Sequence, residues 1–319
     1  MNTNILITGA GGQIGSDLTV TLGRMYGQDH VIASDIVAPT EKMLNSARFE
    51  HIDATDIGAI SRVIRENNVA TVFHLVTLLS AASEGNPQKA WHVIVTSLTN
   101  VLEVARESGC AVFAPSSPAV FGPGAPRDNT PQDTILRPVS IYGVSKVAGE
   151  LLCDYYHSRY GVDTRGLRFS GVISYETIPS GGITDYAVGM FYEAIKKNPY
   201  HCFLRKGTRL PFMYIPDAIK AAITLMEADP KRLIHRNSFN VTAMSLAPED
   251  VGREIKKHLP DFSFDYQPDS VRQAIADSGT TSLDDTAARE EWGWRPDYDL
   301  AALAQDMLAK ISAKLNIKL

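Results

Sequence analysis

A doubly wound, parallel α/β sheet is the fold that three features of this chain predict. Short apolar runs alternate with helical patterns through the first half. The runs are continuously apolar, as strands buried on both faces must be. A glycine-rich turn separates the first run from the first helix. In order, strands are expected at residues 4–8, 31–34, 49–52, 71–75 and 111–114. Helices are expected at 13–25, 57–66 and, as one long element, 87–107.

Five prolines and two glycines make residues 118–138 a loop, long enough to suggest a functional one. Ser140 can cap the next helix, which runs to about residue 160 with Val144, Ala148, Leu151, Leu152 and Tyr155 at helical spacing. A sixth strand is expected over 163–169. Beyond it the pattern is mixed, with loops at 177–182 and 205–212. The division predicted is residues 1–170 for the sheet domain and 171–319 for a smaller C-terminal substrate lobe. Its boundary is soft and segments of the two can interleave.

The chain has 319 residues, 44% hydrophobic and 21% charged, with a net charge of −5. That balance gives no reason to expect nucleic acid or an anionic membrane as partner. Cys110, Cys153 and Cys202 are widely spaced, without a metal-type or redox-type pair, so no metal and a reducing, cytoplasmic setting are expected. The first strand begins almost at once, which leaves no room for a signal or transit peptide. No apolar run reaches the 18 or more residues of a spanning helix.

Residues 8–15 read Thr-Gly-Ala-Gly-Gly-Gln-Ile-Gly where a strand turns into a helix. Gly9 permits the tight turn, Gly12 lets backbone approach a pyrophosphate, and Gly15 lets the helix pack closely. Gln13 and Ile14 open the helix, whose free N–H groups favour an anion. Asp35, twenty residues after Gly15, ends the second strand and can accept hydrogen bonds from ribose hydroxyls. It would repel a 2′-phosphate, and Ile36 and Val37 supply no cation for one. The pattern is a Rossmann fingerprint, and NAD is preferred to NADP. Asp53 and Ala54 follow the third strand, where the carboxylate either meets the adenine amino group or is a solvated loop residue. Leu75 and Thr77 belong to the stretch expected beneath the nicotinamide ribose. His74, inside an apolar strand, reads as structural.

Tyr142 and Lys146 stand i, i+4 on one helix face. A tyrosine titrates near ~10. A neighbouring ammonium and the charge of oxidised nicotinamide would lower that value and make the phenol a proton acceptor for a substrate hydroxyl. Such a spacing also arises by chance as a surface pair. Ser117 at the end of the fifth strand, where such sheets bind ligands, favours the functional reading and can hydrogen-bond the reacting oxygen. Ser116 is a weaker candidate.

These residues resemble the extended short-chain dehydrogenase/reductase family over most of the chain: 8–15, Asp35, Ser117, Tyr142, Lys146 and the Leu167-Arg168-Phe169 strand. Three longer strings, residues 115–123, 181–187 and 208–214, are similar to the short-chain type of L-threonine 3-dehydrogenase within it. The resemblance implies an NAD-dependent oxidoreductase taking a small-molecule substrate, L-threonine, to 2-amino-3-oxobutanoate. It implies Tyr142 as proton acceptor, Ser117 orienting the oxygen, and Lys146 holding the tyrosine's charge state and the ribose. Ser80, Gly182 and Thr184 are implied as substrate contacts, though Thr184-Asp185 can equally be a helix cap. Arg209 either pairs with a substrate anion or sits in a surface ion pair. A homodimer through the two long helices is implied, and Gly181-Gly182 can serve as a hinge. Ile94 departs from the family's usual asparagine, and Ser170 from the threonine dehydrogenase pattern's more frequent proline.

Two other functions compete. A nucleotide-sugar epimerase or dehydratase would share fold, NAD and triad, but such relatives usually carry an asparagine soon after the Arg-Phe strand, where this chain reads Ser170-Gly171-Val172. A non-catalytic NAD sensor could lose the triad, which is intact here.

Overall fold

The computed structural model describes residues 4–176 and 182–318; Gly181 lies outside the described residues. The chain forms two compact units. The first comprises Met1–Val120, Pro138–Arg168 and Ile219–Phe239; the second comprises Phe121–Arg137, Phe169–Ala218 and Asn240–Leu319. The chain thus returns to the first unit after building much of the second.

The first unit runs β1 (Ile5–Thr8), α1 (Gln13–Tyr26), β2 (Val31–Asp35), α2 (Glu41–Leu44), β3 (Arg48–His51), α3 (Ile57–Glu66), β4 (Thr71–His74), α4 (Ser80–Gly85), α5 (Pro87–Trp91), α6 (Ser97–Ser108), β5 (Ala111–Phe113), α7 (Ile141–Tyr160) and β6 (Thr164–Arg165). Its six strands pair in parallel in the order β3-β2-β1-β4-β5-β6. The order reverses between β1 and β4, and a doubly wound sheet binds its ligand outside the strand ends at such a reversal. Side chains alternate across the sheet. Leu6, Ile32, Val72 and Val112 join one buried cluster with residues of α3, α6 and α7. Their neighbours Ile7, Ala33, Phe73 and Phe113 are equally buried, with the Phe73 and Phe113 rings 5.4 Å apart. Truncating a core leucine such as Leu6 to alanine costs about 2–5 kcal/mol.

Three expectations need correction. The long helix over 87–107 is interrupted: α5 and α6 are joined by a wider π-helical turn, His92–Thr96. Apolar periodicity carries through such a turn, which hides it in sequence. The sixth strand is broken at Gly166 into β6 and β7 (Leu167–Phe169). A Cβ there would lie 2.5 Å from the Ala114 carbonyl oxygen and 2.7 Å from that of Asn237. Part of the loop expected over 205–212 is a buried strand.

That strand is β10 (Leu210–Tyr214), in the second unit. It lies between β8 (Gly171–Ile173) and β12 (Met244–Leu246), parallel to the first and antiparallel to the second. Thr208, Arg209 and Pro211 read as turn residues, yet all five positions of β10 are buried, so tertiary packing overrides local preference. Helix α8 (Asp185–Ile195) is buried along most of its length, with Tyr186 edge-on to Phe212 at 5.8 Å. Among the described residues no helix is long and apolar enough to cross a membrane.

Candidate active site

The glycine turn after β1 is built by close approach. Gly9 has φ +77°, and a Cβ on it would sit 2.9 Å from backbone atoms of Leu75 and Val76. Gly15 faces the same turn, where a Cβ would fall 2.3 Å from the Gly9 carbonyl oxygen. The two glycines bring the start of α1 and the end of β4 against the turn. Gly12 is the N-cap of α1; no side chain caps that helix and no acidic residue stands in its first turn. Gln13 and Ile14, the first helical residues, are half-buried. The helix end therefore keeps its positive dipole for an anion, which fits a dinucleotide diphosphate.

Asp35 ends β2 beside this turn. Its Oδ2 accepts from the Gly11 amide at 2.8 Å, and its Oδ1 from Val37 at 3.0 Å. A carboxylate accepts about four hydrogen bonds, so two positions remain for ribose hydroxyls. Gly11 was not singled out from sequence, yet its amide ties the acidic residue to the glycine turn. Asp53 is exposed, and its Oδ1 takes the Thr55 amide at 2.9 Å and the Thr55 hydroxyl at 2.7 Å. These bonds, the amide first, hold its carboxyl below the usual range. Ala54 is buried, its carbonyl held by Asn100. Leu75 and Thr77 are half-buried in the segment after β4, and Ser80 opens α4. His74 is structural, as expected. It is buried, with Nδ1 2.8 Å from the Thr8 hydroxyl and Nε2 3.1 Å from that of Ser97. Burial, then the charge of Lys146, pushes its pKa down to about 3, so it is neutral.

Ser117, Tyr142 and Lys146 come together. Ser117 lies just before a single 3-10 turn, Pro118–Val120, and its hydroxyl accepts from the Ala119 amide at 3.2 Å. Helix α7 meets this turn through Gly143, where a Cβ would lie 2.2 Å from the Ala119 carbonyl oxygen. That contact brings the adjoining Tyr142 toward Ser117, whose hydroxyl pulls the phenol's pKa downward. Lys146 is buried; its ammonium donates to the Pro115 carbonyl at 2.9 Å and lies 5.6 Å from the centre of the Tyr142 ring.

The charge states differ from the sequence expectation. Burial pushes the Tyr142 phenol up to about 12, against a smaller downward pull from Ser117. Burial also pushes Lys146 down to about 8, opposed by the charge of Glu150. The lysine alone does not bring the phenol toward neutrality, because removing water from the phenolate costs more than the ammonium returns.

Ser116 does not face this cluster. Its hydroxyl donates to Glu150 Oε1 at 2.5 Å, and Arg168 grips the same carboxylate at 2.9 and 2.8 Å. All three are buried. Glu150 stands one turn beyond Lys146 on the same face, a continuation of the i, i+4 spacing that could have flagged it. Ile94 is buried in the π-helical turn and, with Lys146, lines a cavity behind the triad.

In the second unit, Thr184 is the N-cap of α8 without a side-chain cap bond, and Asp185 Oδ2 reaches back to accept from the Gly182 amide, ahead of the helix, at 2.9 Å. The Thr184 methyl packs where a Gly171 side chain would stand. Arg209 is in the ion pair that was one of its two readings, with Nη2 2.8 Å from Asp250 Oδ2. The Ser170 hydroxyl is buried without a partner among the described residues.

Comparison with known proteins agrees with this architecture. The sequence profile described as "NAD dependent epimerase/dehydratase family" matches residues 5–241. The chain belongs to that family. It is therefore NAD-dependent, and it shares the extended short-chain dehydrogenase/reductase architecture. An uncharacterized epimerase/dehydratase of Staphylococcus saprophyticus is 48% identical over 97% of both chains. An L-threonine dehydrogenase structure from Clostridium difficile is 49% identical over 98% of both chains, with TM-score 0.96. A monomeric L-threonine 3-dehydrogenase from a metagenome is 42% identical over 98% of this chain and 99% of its own, with TM-score 0.93.

Proposed function

We propose that this member of the NAD dependent epimerase/dehydratase family is an L-threonine 3-dehydrogenase, oxidising the threonine hydroxyl to 2-amino-3-oxobutanoate. The reading is carried by near-complete superposition on an L-threonine dehydrogenase at 49% identity, over 98% of each chain. It is supported by the convergence of Ser117, Tyr142 and Lys146 beyond β5, with the ammonium 5.6 Å from the centre of the Tyr142 ring.

The Gly9–Gly15 turn and Asp35 would hold NAD, which would supply the hydride acceptor. The residues of this chain handle the proton. Ser117 orients the substrate oxygen, and Tyr142 accepts its proton. Lys146 keeps positive charge within reach of the phenolate that accepts it. A phenol near 12 is protonated at rest, so Tyr142 takes the substrate's proton in its deprotonated fraction, after its own proton has gone to solvent. Ser80, Gly182 and Thr184 are proposed to meet the zwitterionic ends of threonine; the Thr184 side chain makes no cap bond to α8.

Purified protein given NAD and L-threonine should form NADH. Activity on a UDP-sugar and none on threonine would favour the epimerase, and NAD binding with no turnover of either would favour a sensor. A homodimer is proposed through the outer face of α7, where Val144, Leu151 and Tyr155 are 41%, 60% and 51% exposed at helical spacing. Light scattering that gave a monomer's mass would reject it.

A further inference from the structure

Behind the Ser117–Tyr142–Lys146 cluster lies a cavity of about 20 Å³, entirely within the first unit. Its polar wall is formed by His74, Ser116, Lys146, Glu150 and Asn237. Three features converge on it. The Lys146 ammonium has three donors and, among the described residues, makes one hydrogen bond, to the Pro115 carbonyl. Asn237 is 3% exposed; its amide nitrogen donates to Asp154, but its Oδ1 is buried without a partner among the described residues. Glu150 stands on the same wall, one turn from Lys146 and outside direct ion-pair distance of it among the described residues. A polar cavity of this size holds about one ordered water, and buried water is what satisfies such groups.

We infer that Glu150 is a positioning residue for the proton-transfer pair, holding the Lys146 ammonium through water bound in this cavity, with Asn237 as the water's third partner. The other groups around the ammonium do not supply that role. His74 on β4 is neutral, and Cys153 on α7 is a thiol pushed far above its usual range by burial. Tyr142 is protonated at rest. Arg168 on β7 is a donor with no acceptor to offer an ammonium, and it is engaged with Glu150. Asp154 is turned to the Asn237 amide. Glu150 is thus the carboxylate on the cavity wall, fixed there by Arg168 and Ser116. The counter-charge that keeps a buried lysine protonated is built into the helix that carries it.

The inference rests on Tyr142 and Lys146 acting as the proton-transfer pair, and it does not depend on threonine being the alcohol. The test therefore reads the lysine directly. Protein carrying ¹³C at the lysine ε carbon is titrated by NMR, with the Lys146 signal assigned from Lys146→Arg. In Glu150→Gln the midpoint should fall by about one pH unit, a tenfold loss of proton affinity. Glu150→Asp should restore most of it. Gly149→Ala is the companion variant. Gly149 lines the cavity, and a Cβ on it would meet only the flexible end of Leu98, at 3.2 Å. It narrows the water site without touching a charge, inside a helix that alanine favours. Its midpoint should also fall, by less. A midpoint equal to wild type in folded Glu150→Gln overturns the inference. If that variant does not fold, an unchanged midpoint in Gly149→Ala does so. Failure of wild type to oxidise threonine would sink the proposed substrate and leave this titration as informative as before.

Discussion

Helices α1 and α7 both reach their neighbours through glycine, but they begin in opposite ways. Gly15 seats α1 on the turn after β1, and Gly143 seats α7 on the turn after β5. At α7 the N-terminal amides are engaged by the chain itself: Ser140 accepts from Gly143 at 3.1 Å, and Glu84 accepts from Ile141 at 2.8 Å. At α1 the N-cap is glycine and no side chain caps the helix. One helix end is filled with protein oxygen and a carboxylate, so it repels an anion and can present Tyr142 in a fixed position. The other is left bare, so its dipole is available to a diphosphate. Whether a helix end binds or positions depends here on its cap.

The comparison can be broken at either end. The largest effect belongs to the α7 end. Tyr142→Phe should lower threonine oxidation by about 10²–10⁴-fold while NADH binding, followed by fluorescence, stays as in wild type. In the intact enzyme, oxidation should climb as pH rises through the neutral range and the reverse reduction should decline. The sign follows from a phenol held near 12, whose basic form grows with pH. Next comes Gly12→Asp, which gives α1 the acidic cap it lacks. NAD affinity should fall roughly tenfold, about 1.4 kcal/mol, with little change in melting temperature; calorimetry showing undiminished affinity would remove the bare helix end from the account. Asp35→Asn keeps the hydrogen-bonding shape but removes the charge. It should shift the NAD-over-NADP ratio several-fold, a loss on the order of 1 kcal/mol, and an unaltered ratio of kcat/KM values would contradict the assigned ribose contact. The smallest effect is Ser140→Ala, about 1 kcal/mol of stability in denaturant, with turnover per folded molecule nearly constant.

The bare end was legible in sequence and the filled end only in part. Glycines at 9, 12 and 15 with Asp35 at the right distance mark a local turn, and local turns are encoded in consecutive residues. Ser140 was equally readable as a cap. Gly143 was not, because its reason is the Ala119 carbonyl more than twenty residues away. The same holds for Gly166, which breaks the sixth strand against Asn237, and for β10, whose polar lead-in hides a strand buried on both sides. The i, i+4 spacing gave the Tyr142–Lys146 pair, but not the sign of its charge balance. That sign is set by burial, a property of the assembled unit rather than of the helix.

The return of the chain to the first unit after much of the second has been made has a consequence for dissection. The Arg165 guanidinium, buried at the end of β6, donates to the carbonyls of Leu225, Met226 and Ala228 at 2.7, 3.1 and 2.8 Å. Those acceptors, and Asn237, are contributed by a segment synthesised after β8 and β10. A fragment cut at residue 170 would therefore keep the Arg165–Asp163 ion pair but lose the three carbonyls that take the other guanidinium nitrogen, and would lack one wall of its own cavity. The nucleotide-binding half of this molecule is contiguous in space and discontinuous in the gene. No single recombination point or protease cut releases it whole, and shuffling that half between relatives requires crossovers on either side of residues 121–137 and of residues 219–239 as well as one at the junction near 168.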